Sequence, residues 1–156
     1  ELLIEDLKVI KTRQKGLMFV ADLKILSSTN ADRPAGSHVN HTVLVDQDYG
    51  PSNIKEFMIA ASGLDPYGGS DAATVAKEDW DENAEVALDD TKPLNGFKLR
   101  ATAQHKAKKD KKLDLADEKT YFTRITFQPH ADTRAHFYPE LVKPAPEAKA
   151  EKKASK

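Results

Sequence analysis

A mainly β fold, with five strands closing a small barrel and an amphipathic helix between strands three and four, is predicted by three observations. Apolar and polar residues alternate with period two in separate runs before and after the middle of the chain. One strong helical period interrupts those runs after the third. The connections are rich in Gly, Pro, Asn, Asp and Ser, which favour turns.

Leu2 to Lys11 and Leu17 to Leu26 are strand-like runs around the polar turn Thr12-Arg13-Gln14-Lys15-Gly16, which reads as a β-hairpin. In the second run Leu17, Phe19, Ala21, Leu23 and Ile25 share one face, with Asp22 and Lys24 on the other. Ser27 to Ser37 is a loop. A third strand spans His38 to Asp46, where Val39, Val43 and Val45 alternate with Asn40, Thr42 and Leu44. The period then changes: Gly50-Pro51-Ser52-Asn53 is a start signal, Ile54, Phe57, Met58 and Ala61 follow i, i+3, i+4, i+7, and Gly63 is a stop. A helix over Ser52 to Ser62 follows. A shorter helix can start at Gly68-Gly69-Ser70-Asp71 and run to about Asp79, while the acidic stretch around Trp80 fits helix or loop.

From Gly96, Phe97, Leu99, Ala101 and Ala103 alternate with Lys98, Arg100, Thr102 and Gln104. The last strand covers Thr120 to Gln128, with Tyr121, Ile125 and Phe127 on one face and Phe122, Arg124 and Thr126 on the other. These elements place a domain over 1–129, with an acidic insertion at about 70–92. Residues 130–156 form a C-terminal extension, expected to be disordered from about 141 because its Lys/Ala/Glu composition buries too little apolar surface to offset ordering.

The 156 residues suit one domain, given about 100–200 residues per domain. The longest apolar stretches, such as Phe57 to Ala61, fall well short of the roughly 18 residues of a membrane span. Glu1-Leu2-Leu3-Ile4-Glu5-Asp6 lacks the basic start and small-residue cleavage site of a secretory signal. The chain has no cysteine, hence no disulfide framework, thiol nucleophile or thiolate metal site, and a cytoplasmic location is expected.

A net charge of -1 makes no whole-molecule case for nucleic acid, so the distribution of charge matters. Asp71 to Asp90 holds eight acids against Lys77 alone, and Lys106 to Lys112 holds five lysines against Asp110. Three strands, a helix and two strands is the element order of the five-stranded OB barrel. In that fold ligands cross the face near strands two and three, flanked by the loops joining strands one and two and strands four and five. Those loops carry Lys11, Arg13 and Lys15, and Lys106, Lys108, Lys109, Lys111 and Lys112, so both basic clusters are expected beside one groove. The outward faces of the last two strands add Lys98, Arg100, Phe122 and Arg124. Lysines would neutralise phosphates, and Phe122 or its competitor Tyr121 would stack a base, as sequence-tolerant single-strand binding requires. A one-residue slip of register would exchange those two rings.

The hairpin, Gly36-Ser37 before Val39-Asn40-His41-Thr42-Val43-Leu44-Val45, Asn53-Ile54-Lys55-Glu56-Phe57, Gly96-Phe97-Lys98-Leu99-Arg100 and Tyr121-Phe122-Thr123-Arg124-Ile125-Thr126-Phe127-Gln128-Pro129 together resemble small bacteriophage proteins of the OB-fold single-stranded-DNA-binding type. The resemblance covers about residues 1–129. It implies an accessory of DNA replication or recombination that coats single strands in the cytoplasm of an infected bacterium, with phage or host replication proteins as further partners. The chain departs from replicative single-strand binders that end in an acidic recruiting tail, because Glu147 to Lys156 holds four lysines and two glutamates.

No catalytic constellation, cofactor or metal site is expected. His38 and His41 fall on opposite strand faces with no cysteine to help. Asp79 with Asp81 and Asp89 with Asp90 belong to an acidic stretch without a calcium-loop pattern. Gly68-Gly69 lacks the Lys-Ser/Thr of a phosphate loop, and no Gly-x-Ser-x-Gly is present. The rival to DNA binding is a protein-interaction module in which the acidic 71–90 segment mimics nucleic acid or docks a basic partner.

Overall fold

The computed structural model describes residues 1–14, 16–109 and 111–142. Five antiparallel strands form one sheet in the order β3-β2-β1-β4-β5: β1 (Leu2–Thr12), β2 (Gly16–Ile25), β3 (His38–Leu44), β4 (Lys98–Ala107) and β5 (Tyr121–Pro129). Four helices accompany it: α1 (Gly50–Ala61), α2 (Ala72–Lys77), α3 (Trp80–Leu88) and α4 (Ala131–Phe137). The expected tail lies almost wholly outside the described residues.

β1 places Ile4 and Leu7 in the core although they are three apart in sequence. A register shift between Ile4 and Asp6 resets the alternation, as a bulge does, and thereafter Leu7 and Val9 oppose the inward Ala21 and Phe19 of β2. β2 keeps the expected buried set of Phe19, Ala21, Leu23 and Ile25. In β3, His41 joins Val39 and Val43 on the inward side.

Helix α1 starts with Pro51 in its first turn, where a missing N–H costs no intrahelical bond. Its second half is buried all round: Phe57, Met58, Ile59, Ala60 and Ala61 are all in the core, a wider set than the single face the sequence pattern marks. Gly63 ends the helix at φ +93°, and a Cβ there would lie 2.6 Å from the Arg134 Cα. Only glycine therefore lets α4 pack this closely over the end of α1. The Phe57 ring centroid stands 5.6 Å from that of Phe19, 5.1 Å from Phe127 and 5.8 Å from His41, and the His41 and Phe127 rings meet at 4.7 Å. One helix side chain thus joins β2, β3 and β5.

No backbone ladder joins β3 to β5 among the described residues, so the sheet is open. On the free edge of β5 the Phe127 N–H donates to the Tyr67 Oη at 3.1 Å. Tyr67 takes a donor that a closing strand would need. Its hydroxyl pKa is raised by burial, and the neighbouring Glu56 carboxylate adds to the shift.

The acidic stretch resolves as helix. Asp79 caps α3 by accepting the Glu82 N–H at 3.1 Å, and Trp80 is buried against α1, its Nε1 donating to the Val75 carbonyl at 2.9 Å. Beyond residue 129, where an extension of falling apolar content is expected, the chain forms α4. Thr133 Oγ1 accepts the Lys98 N–H at 3.1 Å and donates to the Lys98 carbonyl at 2.6 Å, continuing the ladder past the end of β5. Arg134 forks onto Asp71 with bonds of 2.8 and 2.6 Å. Asp71 also accepts the Asp65 N–H at 2.8 Å. The sequence signal for α4 is weak because its anchors are a threonine and an ion pair rather than an apolar stripe.

Candidate nucleic-acid interface

β4 pairs with β1 at Leu99 with Leu2 and Lys98 with Leu3. Just before β4 the edge continues to Ile4, whose N–H donates to the Phe97 carbonyl and whose carbonyl accepts the Gly96 N–H, both at 2.8 Å. From Leu99 β4 and β5 continue together, without another strand, to Ala107 opposite Tyr121. The result is a two-stranded ribbon projecting about 25 Å beyond the sheet at 3.3 Å per residue. Ala101 and Ala103, expected on the inward face, are exposed, because α1 covers the ribbon's inward side only at Phe127.

The register fixes what each face carries. Directly opposed residues of an antiparallel pair share a face. Leu99, Ala101, Ala103 and His105 therefore lie with Phe127, Ile125, Thr123 and Tyr121 on the inward side. Arg100, Thr102, Gln104 and Lys106 lie opposite Gln128, Thr126, Arg124 and Phe122 on the outward side. Phe122 is directly across from Lys106, one residue pair from Arg124, and 48% exposed. Tyr121 is on the other face, its ring 4.5 Å from His105, which contacts Thr123 Oγ1 at 3.1 Å. The two candidate rings are thereby separated: Phe122 belongs with the cations and Tyr121 does not.

Neither ribbon strand contains an aspartate or glutamate. Arg100, Lys106 and Arg124 form no ion pair among the described residues, whereas Lys98 is held by Asp132 at 3.1 Å. By contrast, two cations on the outward face of β1–β3 are paired. Lys8 meets Asp22 at 3.0 Å and His38 meets Glu5 at 2.6 Å, and Lys24, Asn40 and Thr42 share that face with the apolar Ile10, Met18, Val20 and Leu44. No Phe, Tyr or Trp side chain stands there. The face between strands two and three is therefore not the basic one.

The loop from Lys108 to Thr120 is closed by the Lys108 N–H donating to the Thr120 carbonyl at 2.8 Å. Thr120 Oγ1 accepts the Asp114 N–H and donates to the carbonyls of Asp114 and Asp117. Asp114 and Asp117 spend one carboxylate oxygen each on backbone N–H groups two residues on. Lys111 Nζ reaches the Lys119 carbonyl at 3.3 Å, while Lys108, Lys109 and Lys112 are exposed without an ion pair among the described residues.

The two basic loops lie at opposite ends of the β1–β4 pairing. From the Leu2–Leu99 pair, β1 runs one way for about 30 Å of strand to Lys11 and Arg13, and β4 runs the other way to Lys106. Antiparallel pairing at the very start of both strands imposes this divergence. Lys11, across from Leu17, is on the inward side of its hairpin, opposite to Arg100 and Arg124. Lys15 lies outside the described residues.

Surface depressions beside Trp80 are lined by Lys55, Lys77, Glu78, Asp79 and Asp81, on the helical side of the molecule. Among the described residues no group of three or more His, Asp or Glu side chains is arranged to hold a metal ion, and no helix is long and apolar enough to cross a membrane. Comparison with family models, curated proteins and solved structures gives no match to this chain.

Proposed function

We propose that this chain is a non-enzymatic, OB-like protein that binds single-stranded DNA with little sequence preference, using the outward face of the β4–β5 ribbon. The observation that carries the reading is the acid-free row of Arg100, Arg124 and Lys106 with the half-exposed Phe122 ring directly across from Lys106. The arginines and lysine supply phosphate contacts, and Phe122 supplies a stacking surface that any base can use. The lysines of the 108–112 loop extend the same positive track past the ribbon's end. The order β3-β2-β1-β4-β5, with α1 lying between β3 and β4 in sequence, supports an OB-like barrel left open between β3 and β5, where the His41 and Phe127 rings approach. A role as a phage replication or recombination accessory in a bacterial cytoplasm fits this activity.

The test is anisotropy with labelled oligothymidine and a matched duplex, each at low and moderate salt. Single-strand binding should be tighter and should weaken with salt. Phe122→Ala should weaken single-strand binding by about 1–3 kcal/mol, the range for one base–aromatic stack. Arg124→Gln should flatten the salt dependence by about 0.7 in the logarithmic slope, one phosphate contact. Tyr121→Ala should change neither. Equal affinity of the Phe122→Ala variant and the parent would refute the ribbon as the binding face.

A further inference from the structure

We infer that the free edge of β5 is a dimer interface, where the same strand of a second copy pairs antiparallel about Thr123 and widens the ribbon to four strands. Two hydrogen bonds show which groups the edge offers. Just before the strand, the Thr120 carbonyl accepts the Lys108 N–H, so the even-numbered residues turn their backbone groups toward β4. The Phe127 N–H instead leaves the ribbon for the Tyr67 Oη. Backbone direction alternates along a strand, so Tyr121, Thr123 and Ile125 turn their N–H and C=O groups to the edge that no strand of the sheet covers. Phe122, Thr123, Arg124 and Ile125 are exposed there. Strands that stay single at an edge commonly carry a proline, a bulge or an inward charge. Between Tyr121 and Ile125 there is no proline, the register with β4 runs without a shift, and the inward Tyr121, Thr123 and Ile125 are uncharged.

The sequence selects its own copy as the occupant because it complements itself when reversed. With Thr123 opposite Thr123 of the second copy, Tyr121 lies opposite Ile125 and Phe122 opposite Arg124. Thr–Thr and aromatic–β-branched pairs are favourable cross-strand neighbours, and a guanidinium over a phenyl ring adds cation–π attraction. No two cations are directly opposed. Sliding the second copy by two residues one way sets Arg124 against Arg124, and sliding it the other way carries Ile125 past the start of the strand. Tyr67 ends the pairing at Ile125, because it holds the Phe127 N–H. Opposed residues share a face, so the outward rows of Arg100, Lys106 and Arg124 from both copies come to lie on one side of the widened ribbon. A two-fold contact uses the same edge on both copies and closes at two. The contact itself requires no nucleic acid.

Sedimentation velocity on the full chain without DNA tests this. The average mass should rise with concentration from one chain and stop at two. Thr123→Pro removes an edge N–H that β4 does not use and should stay monomeric at every concentration, with unchanged circular dichroism. The chain has no cysteine, so single cysteines report the register. Directly opposed residues of this kind have Cα atoms about 5.5 Å apart, within disulfide range. Thr123→Cys should therefore oxidise to a covalent dimer far faster than Tyr121→Cys or Ile125→Cys alone, and those two variants mixed should crosslink to each other. In the dilute monomer the Thr123 and Ile125 amides exchange freely, and in the dimer they should be protected. A parent that is monomeric at every concentration, a mass that passes two, a Thr123→Pro variant that still dimerises, or crosslinking of Ile125→Cys alone as fast as that of Thr123→Cys would each overturn the inference. Because no DNA is present, the outcome is independent of the binding assay.

Discussion

Phe127 and Ile125 stand two residues apart on one face of β5, yet Phe127 is 3% exposed and Ile125 is 45% exposed. Both belong to the same uninterrupted ladder with β4. What separates them is the layer beneath: Phe127 meets the rings of Phe57 and His41, while nothing covers Ile125. Ladder hydrogen bonds and alternation continue past the point where the core stops. The clamped half of the sheet uses its inward face for stability, and the projecting half leaves both faces available for contacts with other molecules.

Breaking the clamp should have the largest effect. Phe57→Ala removes the ring that joins β2, β3 and β5 and should cost about 3–5 kcal/mol, the range for deleting a buried phenylalanine. Denaturant unfolding measures it, and a loss below 1 kcal/mol, on the order of a surface change, would show that the sheet holds without α1. Next comes the tie between the acidic segment and α4. The Arg134 fork holds the Asp71 carboxyl below its usual pKa, and Asp71 holds the guanidinium above its own. The Asp71 side chain is 4% exposed and Arg134 23%. Asp71→Ala should cost about 2–3 kcal/mol, less than a fully buried pair because Arg134 keeps access to water. Because the folded pKa of Asp71 is depressed, its stabilisation is complete above the unfolded value near 3.8 and is lost as pH falls through the folded one.

The clamp also has a pH dependence. Burial between Phe57 and Phe127 holds the His41 pKa below 6.5, and its Nε2 has no hydrogen-bond partner. Below pH 6.5 the unfolded chain takes up a proton that the folded chain refuses, so stability should fall as pH drops, by at most about 1.4 kcal/mol per pH unit. Above 6.5 this contribution is flat. Urea midpoints from pH 7.5 to 5 should show the slope in the parent and a weaker one in His41→Leu. Equal slopes in the two would assign the dependence to another group.

Legibility in the sequence tracks the same division. The β1–β2 hairpin and the third strand were readable from alternation around polar turns, and α1 from its i, i+3, i+4, i+7 apolar positions, all of which lie in the core or against it. The outward set of Arg100, Phe122 and Arg124 was readable because alternation survives without burial. What alternation could not convey was the divergence of the two basic loops, since that depends on β4 pairing with the first residues of β1 rather than its middle. Nor could it reveal the Ile4–Asp6 register shift, which lets residues three apart share a face. α4 escaped because Thr133 and Arg134 hold it through polar bonds that have no periodicity.

The smallest expected effect is the sharpest test of the comparison. Ile125→Ala and Phe127→Ala remove apolar groups from one face of one strand, each directly opposite an alanine of β4. Transfer arguments based on residue type alone would charge both changes heavily, since a buried isoleucine truncated to alanine costs about 2–5 kcal/mol. Burial dictates otherwise. Ile125 is already in water along much of its surface, so its loss should change stability by about 0.5 kcal/mol or less when measured in dilute solution. Phe127→Ala should approach the cost of Phe57→Ala. Amide exchange should divide at the same place, with slow exchange at Phe127, whose N–H is held by the Tyr67 hydroxyl, and fast exchange at Ile125, whose N–H faces the same free edge. A large loss from Ile125→Ala in the monomer would mean that the ribbon folds back onto its own core, and the outward row of Arg100, Arg124, Lys106 and Phe122 would then have to be placed anew.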